Sequence, residues 1–139
     1  MKNLKILIDT NVLLDFLSKR EPFWGDATKI IKLCKNDIDG FIAAHSIVNL
    51  FYILRKHWSI NERKSKLLKF CKVFHIVNID NNKIISALEN NDFEDFEDCL
   101  QDECAVAFNA DYIVTRNLKD FKNSKIKALS PNEFLKIIE

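Results

Sequence analysis

The sequence predicts an α/β fold with a mostly parallel central sheet flanked by helices. Short apolar runs alternate with longer segments of helical periodicity, a pattern typical of successive βαβ units. Only two glycines and two prolines occur in the 139 residues, and no linker or internal repeat divides them. With 47% apolar residues, a chain of this length buries a core without disulfides or a structural metal. We therefore expect a single domain over residues 1–139.

Four apolar runs are the predicted strands, and the segments between them carry helix-end signals. The runs are KILI at 5–8, GFIAA at 40–44, FHIVNI at 74–79 and YIVT at 112–115. A first helix begins after Asp9, and Gly40 closes the next helical segment. Ser59 and Glu62 form a capping-box pattern, and the last helix starts after Pro131. Since parallel strands end at one edge of a sheet, the residues just after these runs are candidates for a ligand site.

The composition excludes several classes of protein. The 21 basic and 20 acidic residues nearly cancel, so binding to nucleic acid would need local clusters of charge. The four cysteines have neither CxxC spacing nor the density of a disulfide scaffold, and we expect reduced thiols. No signal-peptide pattern and no apolar run of membrane-spanning length occurs in the sequence. These observations favour a cytoplasmic protein that does not associate with membranes.

The first candidate motif is ILIDTNVLLDFL at residues 6–17. Asp9 follows the first strand, and Asn11 and Asp15 lie four residues apart on one face of the helix that begins there. A carboxylate at a strand end beside a helix start is well placed to bind a metal. The alternative is that Asp9 or Thr10 only caps the helix.

The second candidate is an acidic helix within NNDFEDFEDCLQDECAVAFNA at residues 90–110. Helical spacing predicts that its buried stripe consists of Phe96, Leu100, Cys104 and Ala107. Asp95, Asp98 and Asp102 have the spacing i, i+3, i+7 and lie on another side. Such like charges repel one another unless solvent or a cation relieves them. A solvated acidic helix face is the alternative.

The third candidate, ADYIVTRNLKDF at residues 110–121, places Thr115, Asn117 and Asp120 after the fourth apolar run. Their hydroxyl, amide and carboxylate oxygens are expected at the same strand-end crevice as Asp9. Mg²⁺ keeps several waters and takes only one or two carboxylates together with substrate phosphate, so Asp9, Asp98 and Asp120 would suffice to hold it. Histidines 45, 57 and 75 lack the mutual spacing of a zinc site.

In their order and spacing, ILIDTNVLLDFL, EDCLQDECAVAF and ADYIVTRNLKDF resemble the three blocks of the PIN domain, particularly of VapC-type toxins. SPNEFL at 130–135 is similar to the closing helix of that family, so the resemblance covers nearly the whole chain. It implies a three-layer fold and an acidic cluster that holds Mg²⁺ or Mn²⁺ for hydrolysis of RNA phosphodiesters. The implied function is that of an endoribonuclease serving as the toxin of a type II toxin–antitoxin module.

The resemblance also implies roles for individual residues. Its metal-binding and catalytic carboxylates are Asp9, Asp98 and Asp120. Asp95 is an additional catalytic candidate one turn before Asp98, and Asn117 is an alternative to Asp120. The metal would polarise the scissile phosphate and activate a bound water for in-line attack, while the carboxylates fix the geometry.

Other polar residues are expected around these carboxylates. Asn11, Ser46 and Thr115 are candidates for hydrogen bonds that orient the metal ligands, although Ser46 is equally suited to cap its own helix. Basic residues are dense at 55–72 and 115–127. The second segment flanks the predicted site, and within it Arg116 and Lys119 are the candidates for RNA contact.

One position departs from the family pattern. The family usually has a glutamate about four residues into the helix that follows the second strand, where this chain has Asn49. An asparagine brings no charge and cannot act as a general base, so metal affinity should fall. Either Asp95 or Asp102 compensates for it, or the site is weakened and the chain is a catalytically silent binding module with a PIN fold.

A phosphoacceptor domain, such as a haloacid-dehalogenase-like phosphatase, also places an aspartate after its first strand. That chemistry needs a second carboxylate at position 11, where asparagine stands, so the phosphatase hypothesis is weak. As a toxin the chain implies a cognate antitoxin, which would insert a peptide across the acidic crevice, and a homodimer formed through apolar helical surfaces. FYILRKHW at 51–58 is a candidate part of such a surface.

Overall fold

A computed structural model describes residues 3–139 and contains one sheet of five parallel strands with helices packed on both faces. The strands are β1 (Lys5–Ile8), β2 (Asp39–Ala43), β3 (His75–Val77), β4 (Tyr112–Val114) and β5 (Ala128–Leu129). The helices are α1 (Thr10–Leu17), α2 (Trp24–Asn36), α3 (Ala44–Ile53), α4 (Ile60–Val73), α5 (Asn81–Glu89), α6 (Phe96–Ala107) and α7 (Pro131–Ile138). Short 3₁₀ turns lie at Leu54–Lys56 and Leu118–Phe121. The sequence prediction of a three-layer α/β fold is confirmed.

The order of the strands creates a crevice at the carboxyl end of β1. In the sheet the strands lie in the order β3-β2-β1-β4-β5, and every neighbouring pair is parallel. Strands β2 and β3 are therefore added on one side of β1, and strands β4 and β5 are added on its other side. Ligands of open parallel sheets bind where the direction of strand addition reverses, which is here between β1 and β4. The backbone N–H of Asp9 donates to the carbonyl of Val114 across this point, at 3.0 Å.

Both faces of the sheet are covered, which explains why β1 is apolar at Ile6, Leu7 and Ile8. Ile6 and Ile8 point into the larger core, formed with α1, α2, α4 and α7. Leu7 points to the opposite face, into a second core that includes Cys104 of α6 and Ile113 of β4. Alternating side chains of one strand thus enter two different cores.

The predicted strands are confirmed, but some boundaries and one helix end are wrong. Strand β3 is shorter than its apolar run, and β5 was not predicted because two residues carry no periodicity. Gly40 does not end helix α2, which stops at Asn36, but lies inside β2. A Cβ at position 40 would lie 2.6 Å from the ring of Phe74 and 2.8 Å from the Cys34 sulfur. Close packing on β2, and not helix termination, therefore requires glycine here.

The predicted buried stripe of α6 is only half correct. Leu100 and Cys104 are buried, but Phe96 is 43% exposed and Ala107 is exposed too. The helix contacts the sheet on one side and α5 on another, so its buried face is wider than a single stripe and includes Cys99 and Ala105. Phe96 is the first residue of the helix and lies beyond the part that packs on the sheet.

The four cysteines are free, with Cys71 exposed and the other three buried. None of the helices in residues 3–139 combines the length and the apolar character that crossing a membrane requires.

Candidate metal and active site

Asp9 is the centre of the polar network at the end of β1. It adopts extended backbone angles and caps α1, and its Oδ1 accepts a hydrogen bond from the backbone N–H of Thr10 at 2.7 Å. Its Oδ2 accepts from the Thr115 hydroxyl at 2.8 Å. The residue is only 6% exposed. Burial raises the pKa of Asp9, the two threonine hydrogen bonds oppose that rise, and the charges of Asp120 and Asp95 add to it.

Asn11 and Thr115 both contact Asp9, as their positions after strands suggested. The Asn11 amide nitrogen lies 3.2 Å from Asp9 Oδ2 and 3.4 Å from the Thr115 hydroxyl. The Asn11 amide oxygen accepts from the backbone N–H of Arg116 at 3.3 Å, which joins α1 to the end of β4. Asn117 contributes its backbone N–H, which donates to the Thr115 hydroxyl at 3.0 Å. These bonds fix the Asp9 carboxylate from two strand ends.

Gln101 of α6 completes the network, and the sequence analysis missed it. Its amide nitrogen donates to the Ser46 hydroxyl at 2.8 Å and lies 3.4 Å from Asp9 Oδ1. Ser46 also accepts from the Thr10 hydroxyl at 2.7 Å. Gln101 is 2% exposed, and its amide oxygen has no hydrogen-bond partner among the described residues. A buried polar atom without a partner next to a buried carboxylate is suited to a bound water or ion.

The N-terminal end of α6 brings further carboxylates to Asp9. Asp95 caps the helix by accepting from the backbone N–H of Asp98 at 3.0 Å. The half-buried Asp98 has its pKa raised to about 7, first by burial and then by the negative charges of Asp95, Asp9, Asp120 and Glu97. Such mutual repulsion requires the carboxylates to be near neighbours. The predicted residues Asp9, Asp95, Asp98 and Asp120 therefore share one electrostatic environment.

A cleft of about 700 Å³ opens beside these acids. Its lining residues are Asn91, Asp92, Phe93, Glu94, Asp95, Asp98, Lys119, Asp120, Lys122 and Asn123. Within residues 3–139, none of the three aspartates Asp95, Asp98 and Asp120 forms an ion pair. The two lysines therefore line the cleft without neutralising its carboxylates.

The donor set fits a hydrated hard cation. No group of three or more His, Cys, Asp or Glu side chains in the described residues is arranged to enclose a metal ion directly. Mg²⁺ does not need such a cage, because it keeps several waters and takes one or two carboxylates. Carboxylates whose pKa values are raised, and the unpartnered amide oxygen of Gln101, are consistent with a hydrated Mg²⁺ or Mn²⁺ among them.

The sequence profile of the PIN domain matches residues 5–119. The chain belongs to the PIN domain family. No curated protein sequence matches it significantly. Known structures of similar fold come from VapC-type toxin–antitoxin systems, as the sequence resemblance implied.

Three of these structures illustrate the likeness of the fold. VapBC2 from Rickettsia felis, solved bound to a DNA fragment from its promoter, matches with a TM-score of 0.63 and 21% identity over 91% of this chain and 98% of that one. A toxin–antitoxin complex from Klebsiella pneumoniae has a TM-score of 0.68 and 19% identity over 91% and 97%. VapC20 from Mycobacterium tuberculosis, a toxin that cleaves the sarcin–ricin loop, has a TM-score of 0.62 and 10% identity over 78% and 86%.

In this PIN domain, Asn49 faces a residue that the sequence analysis did not single out. Its amide nitrogen donates to Glu97 Oε2 at 3.1 Å, so the acid that it contacts is neither Asp95 nor Asp102, the two candidates to compensate for the missing glutamate. Asp102 is buried and accepts from the Ser124 hydroxyl, which holds the segment after the 3₁₀ turn against α6. The i, i+3, i+7 spacing placed Asp102 with the site acids, but its hydrogen bond is to Ser124, which does not line the cleft.

Of the two candidate RNA-binding residues, Lys119 is exposed and lines the cleft, whereas Arg116 has partners inside the PIN domain. The Arg116 guanidinium donates to both oxygens of Asp15, at 2.6 and 3.2 Å. It also stacks on Phe23, with its central carbon 3.9 Å from the ring centre. Lys122, which was not predicted, lies with Lys119 in the cleft lining.

The three histidines differ in their exposure to solvent. His57 and His75 are exposed, and His75 packs on the ring of Phe41. His45, near the start of α3, has both ring nitrogens buried without hydrogen-bond partners among the described residues. Burial lowers the pKa of His45, and the negative charge of Glu97 opposes this.

Proposed function

We propose that this PIN domain is a metal-dependent endoribonuclease and the toxin component of a toxin–antitoxin pair. The observation that carries the proposal is Asp98. Its carboxyl group lies half-buried among three other aspartates, and within residues 3–139 no cationic side chain pairs with it. Charges of one sign are held together at a cost in stability, which is typical of functional sites.

The carboxylates at the cleft have different roles in the hydrolysis of phosphodiesters. Asp9, Asp98 and Asp120 would hold a divalent ion, which would supply Lewis acidity and an activated water. Asp9 is held rigidly by hydrogen bonds from Thr10 and Thr115, so its carboxylate needs no reorganisation when substrate binds.

The surroundings of these carboxylates serve the substrate. Asp95 fixes the start of α6 and thereby the position of Asp98. Lys119 and Lys122 line the cleft and bind the RNA phosphates by charge attraction, whereas Arg116 supports the site through Asp15.

The partners of the domain follow from this function. The antitoxin proposal rests on the structural neighbours, several of which were solved as toxin–antitoxin complexes. Helix α3 presents Val48 and Tyr52, which are 69% and 62% exposed, on either side of Asn49 in the sequence. Apolar side chains at such a position suit an interface, and we assign them to contact with the antitoxin or a second copy of the chain.

A catalytically silent PIN domain is the second candidate function, and Asn49 is the observation that favours it. An amide in place of a carboxylate lowers the negative charge available to a metal. Such a domain would bind RNA or an antitoxin without hydrolysis.

Cleavage of a mixed structured RNA by purified protein in Mg²⁺, Mn²⁺ or EDTA tests the proposal. Wild type should cleave only with a divalent ion. Asp98→Asn should reduce the rate at least about 100-fold, because losing a metal ligand removes several kcal/mol of transition-state stabilisation. Glu103→Gln is the matched control, since Glu103 is an acid of the same helix that does not line the cleft.

The controls separate the two candidate functions. Cleavage that persists in EDTA or in Asp98→Asn would contradict the metal-dependent nuclease. Wild-type protein that binds RNA in a gel-shift assay without cutting it under any of these ions would instead support the silent binding module.

A further inference from the structure

Helices α3 and α6 are joined by two polar contacts, that of Gln101 with Ser46 and that of Asn49 with Glu97. Asn49 of α3 donates its amide N–H to Glu97 Oε2 at 3.1 Å. Glu97 lies in the first turn of α6, directly before Asp98. The contact joins residues 48 positions apart in sequence, so it depends on the packing of the two helices. It also fixes a flexible, exposed glutamate in one orientation.

The side chain of Glu97 is exposed at the same end of α6 as the site residues Asp95 and Asp98. No ion pair engages it in the described part of the chain, and the contact with Asn49 uses only one of its two oxygens. A carboxylate held by a neutral amide keeps its full negative charge and a free oxygen. One oxygen of Glu97 is therefore free to bind a cation or a metal-bound water.

We infer that Glu97, positioned by Asn49, is a further carboxylate of the metal site, bound directly or through a metal-bound water. This inference rests on the proposed metal-dependent function. Asn49 carries no charge, and its hydrogen bond positions the negative charge of Glu97 next to helix α3. The site then has its carboxylates on β1, α6 and the 3₁₀ turn at Leu118–Phe121.

A second observation, independent of the acids, indicates a ligand at this place. The amide oxygen of Gln101 is buried and unpartnered within residues 3–139, while the nitrogen of the same amide contacts Asp9 and Ser46. The amide group that carries this oxygen therefore lies next to the Asp9 carboxylate. Since another acceptor is repelled there, the partner it requires is a donor such as a metal-bound water.

The geometry gives the inference a specific test by exchange of the two side chains. Because the Asn49 amide and the Glu97 carboxylate are in hydrogen-bond contact, a carboxylate at position 49 would lie within a few ångströms of the present one. The double variant Asn49→Glu/Glu97→Gln keeps the net charge and a carboxylate–amide pair, which is longer than the present pair by one methylene group. It moves the negative charge from α6 to α3.

Calorimetric titration of the RNA-free protein with Mn²⁺ measures the effect without relying on activity. Glu97→Gln should weaken Mn²⁺ affinity about tenfold or more, as loss of a ligand or of its immediate support does. Asn49→Ala should weaken it about threefold, since one hydrogen bond that orients Glu97 is lost. Asn49→Glu/Glu97→Gln should return affinity to near the wild-type value, and the control Glu103→Gln should leave it unchanged.

The outcomes separate this inference from the function on which it rests. Wild-type affinity in Glu97→Gln, together with loss of Mn²⁺ binding in Asp98→Asn, would overturn the role of Glu97 and leave the metal site intact. Absence of Mn²⁺ binding by wild type would overturn both. Weak binding in Glu97→Gln that the double variant fails to restore would reject the exchange of charge between α3 and α6. Thermal unfolding of each variant verifies that it is folded.

Discussion

Asp15 and Asp98 are both acids near the carboxyl end of β1, but only the charge of Asp15 is paired with cationic side chains in the described residues. Asp15 is 1% exposed and receives two hydrogen bonds from Arg116, with Arg20 3.8 Å away. Asp98 is half-buried among carboxylates and pairs with no cation in residues 3–139. The first charge is neutralised inside the fold, and the second is left for a ligand.

A single step along the chain separates the two environments. The hydroxyl of Thr115 donates to Asp9 in the acidic crevice, and the next residue, Arg116, turns its guanidinium to Asp15 instead. An arginine directed into the crevice would have neutralised the acids that a metal needs. The direction of Arg116 thus keeps the site acidic.

The strongest test of the comparison removes the paired acid. Asp15→Ala should lower the free energy of unfolding by about 3 kcal/mol, because it leaves Arg116 largely buried without its partner. Urea unfolding at pH 7 measures this. Asp37→Asn, at an exposed helix end with no ion pair in the described chain, is the control and should change stability by less than about 0.5 kcal/mol.

A second variant replaces both members of the Asp15–Arg116 pair by apolar side chains. The double variant Asp15→Leu/Arg116→Met should recover most of the lost stability, because apolar side chains of similar size can substitute for a buried pair. If Asp15→Ala were as stable as wild type, the contrast between a neutralised and an unneutralised acid would be wrong.

Removing the unpaired acid Asp98 should raise the free energy of unfolding, whereas removing Asp15 lowers it. A raised pKa in the folded state means that protonated Asp98 is favoured, so its cost is absent below the unfolded value of 3.8, grows between 3.8 and about 7, and is complete above about 7. Without metal, Asp98→Asn should therefore be more stable than wild type at pH 8 by about 1–2 kcal/mol, a range reduced for solvent screening. Urea unfolding in EDTA from pH 4 to 8 measures the difference.

Addition of Mn²⁺ supplies the control for Asp98. The ion should stabilise wild type by mass action and have little effect on Asp98→Asn, so the order of stability reverses. A stability difference that does not change between pH 4 and 8 would show that Asp98 is not held at a cost.

The sequence predicted the parts of this site that depend on position along a strand. Asp9 and Thr115 each follow an apolar run, and parallel strands bring their carboxyl ends together whatever the rest of the chain does. The two capping boxes, at Ser59 and Ser130, are likewise local signals, and the structure contains both. Local periodicity and strand ends were therefore sufficient for the fold and for the first acid.

Parts that depend on how a helix is rotated could not be predicted from spacing. Helix α6 is buried on two sides, and the spacing does not show which residues those sides contain. Phe96 is exposed, although the spacing predicted it to be buried. The amide nitrogen of Gln101, which carried no signal in the sequence, lies 3.4 Å from Asp9 Oδ1. Glu97 contacts Asn49 only because α3 and α6 approach each other, and the i, i+7 rule assigned Asp102 to the wrong environment. Such contacts are set by tertiary packing, which one-dimensional periodicity does not contain.

Asp102 is an intermediate case between Asp15 and Asp98, and it provides the smallest test. It is buried, and its partner is the neutral hydroxyl of Ser124, which also accepts from the backbone N–H of Ile126 at 3.1 Å. Burial raises the pKa of Asp102, and the Ser124 hydrogen bond opposes the rise. Ser124→Ala should then cost about 1 kcal/mol, because one hydrogen bond to a buried carboxyl group is lost and water can partly replace it.

Urea unfolding of Ser124→Ala beside Ser86→Ala, an exposed serine of α5, checks this value. Removing the hydroxyl raises the pKa of Asp102 further, so the loss should be largest at pH 8 and should shrink as the carboxyl group is protonated at lower pH. A cost near that of Asp15→Ala would mean that a hydroxyl neutralises a buried carboxylate as fully as an arginine does. A cost equal to that of Ser86→Ala would place Asp102 with the unpaired acids of the crevice.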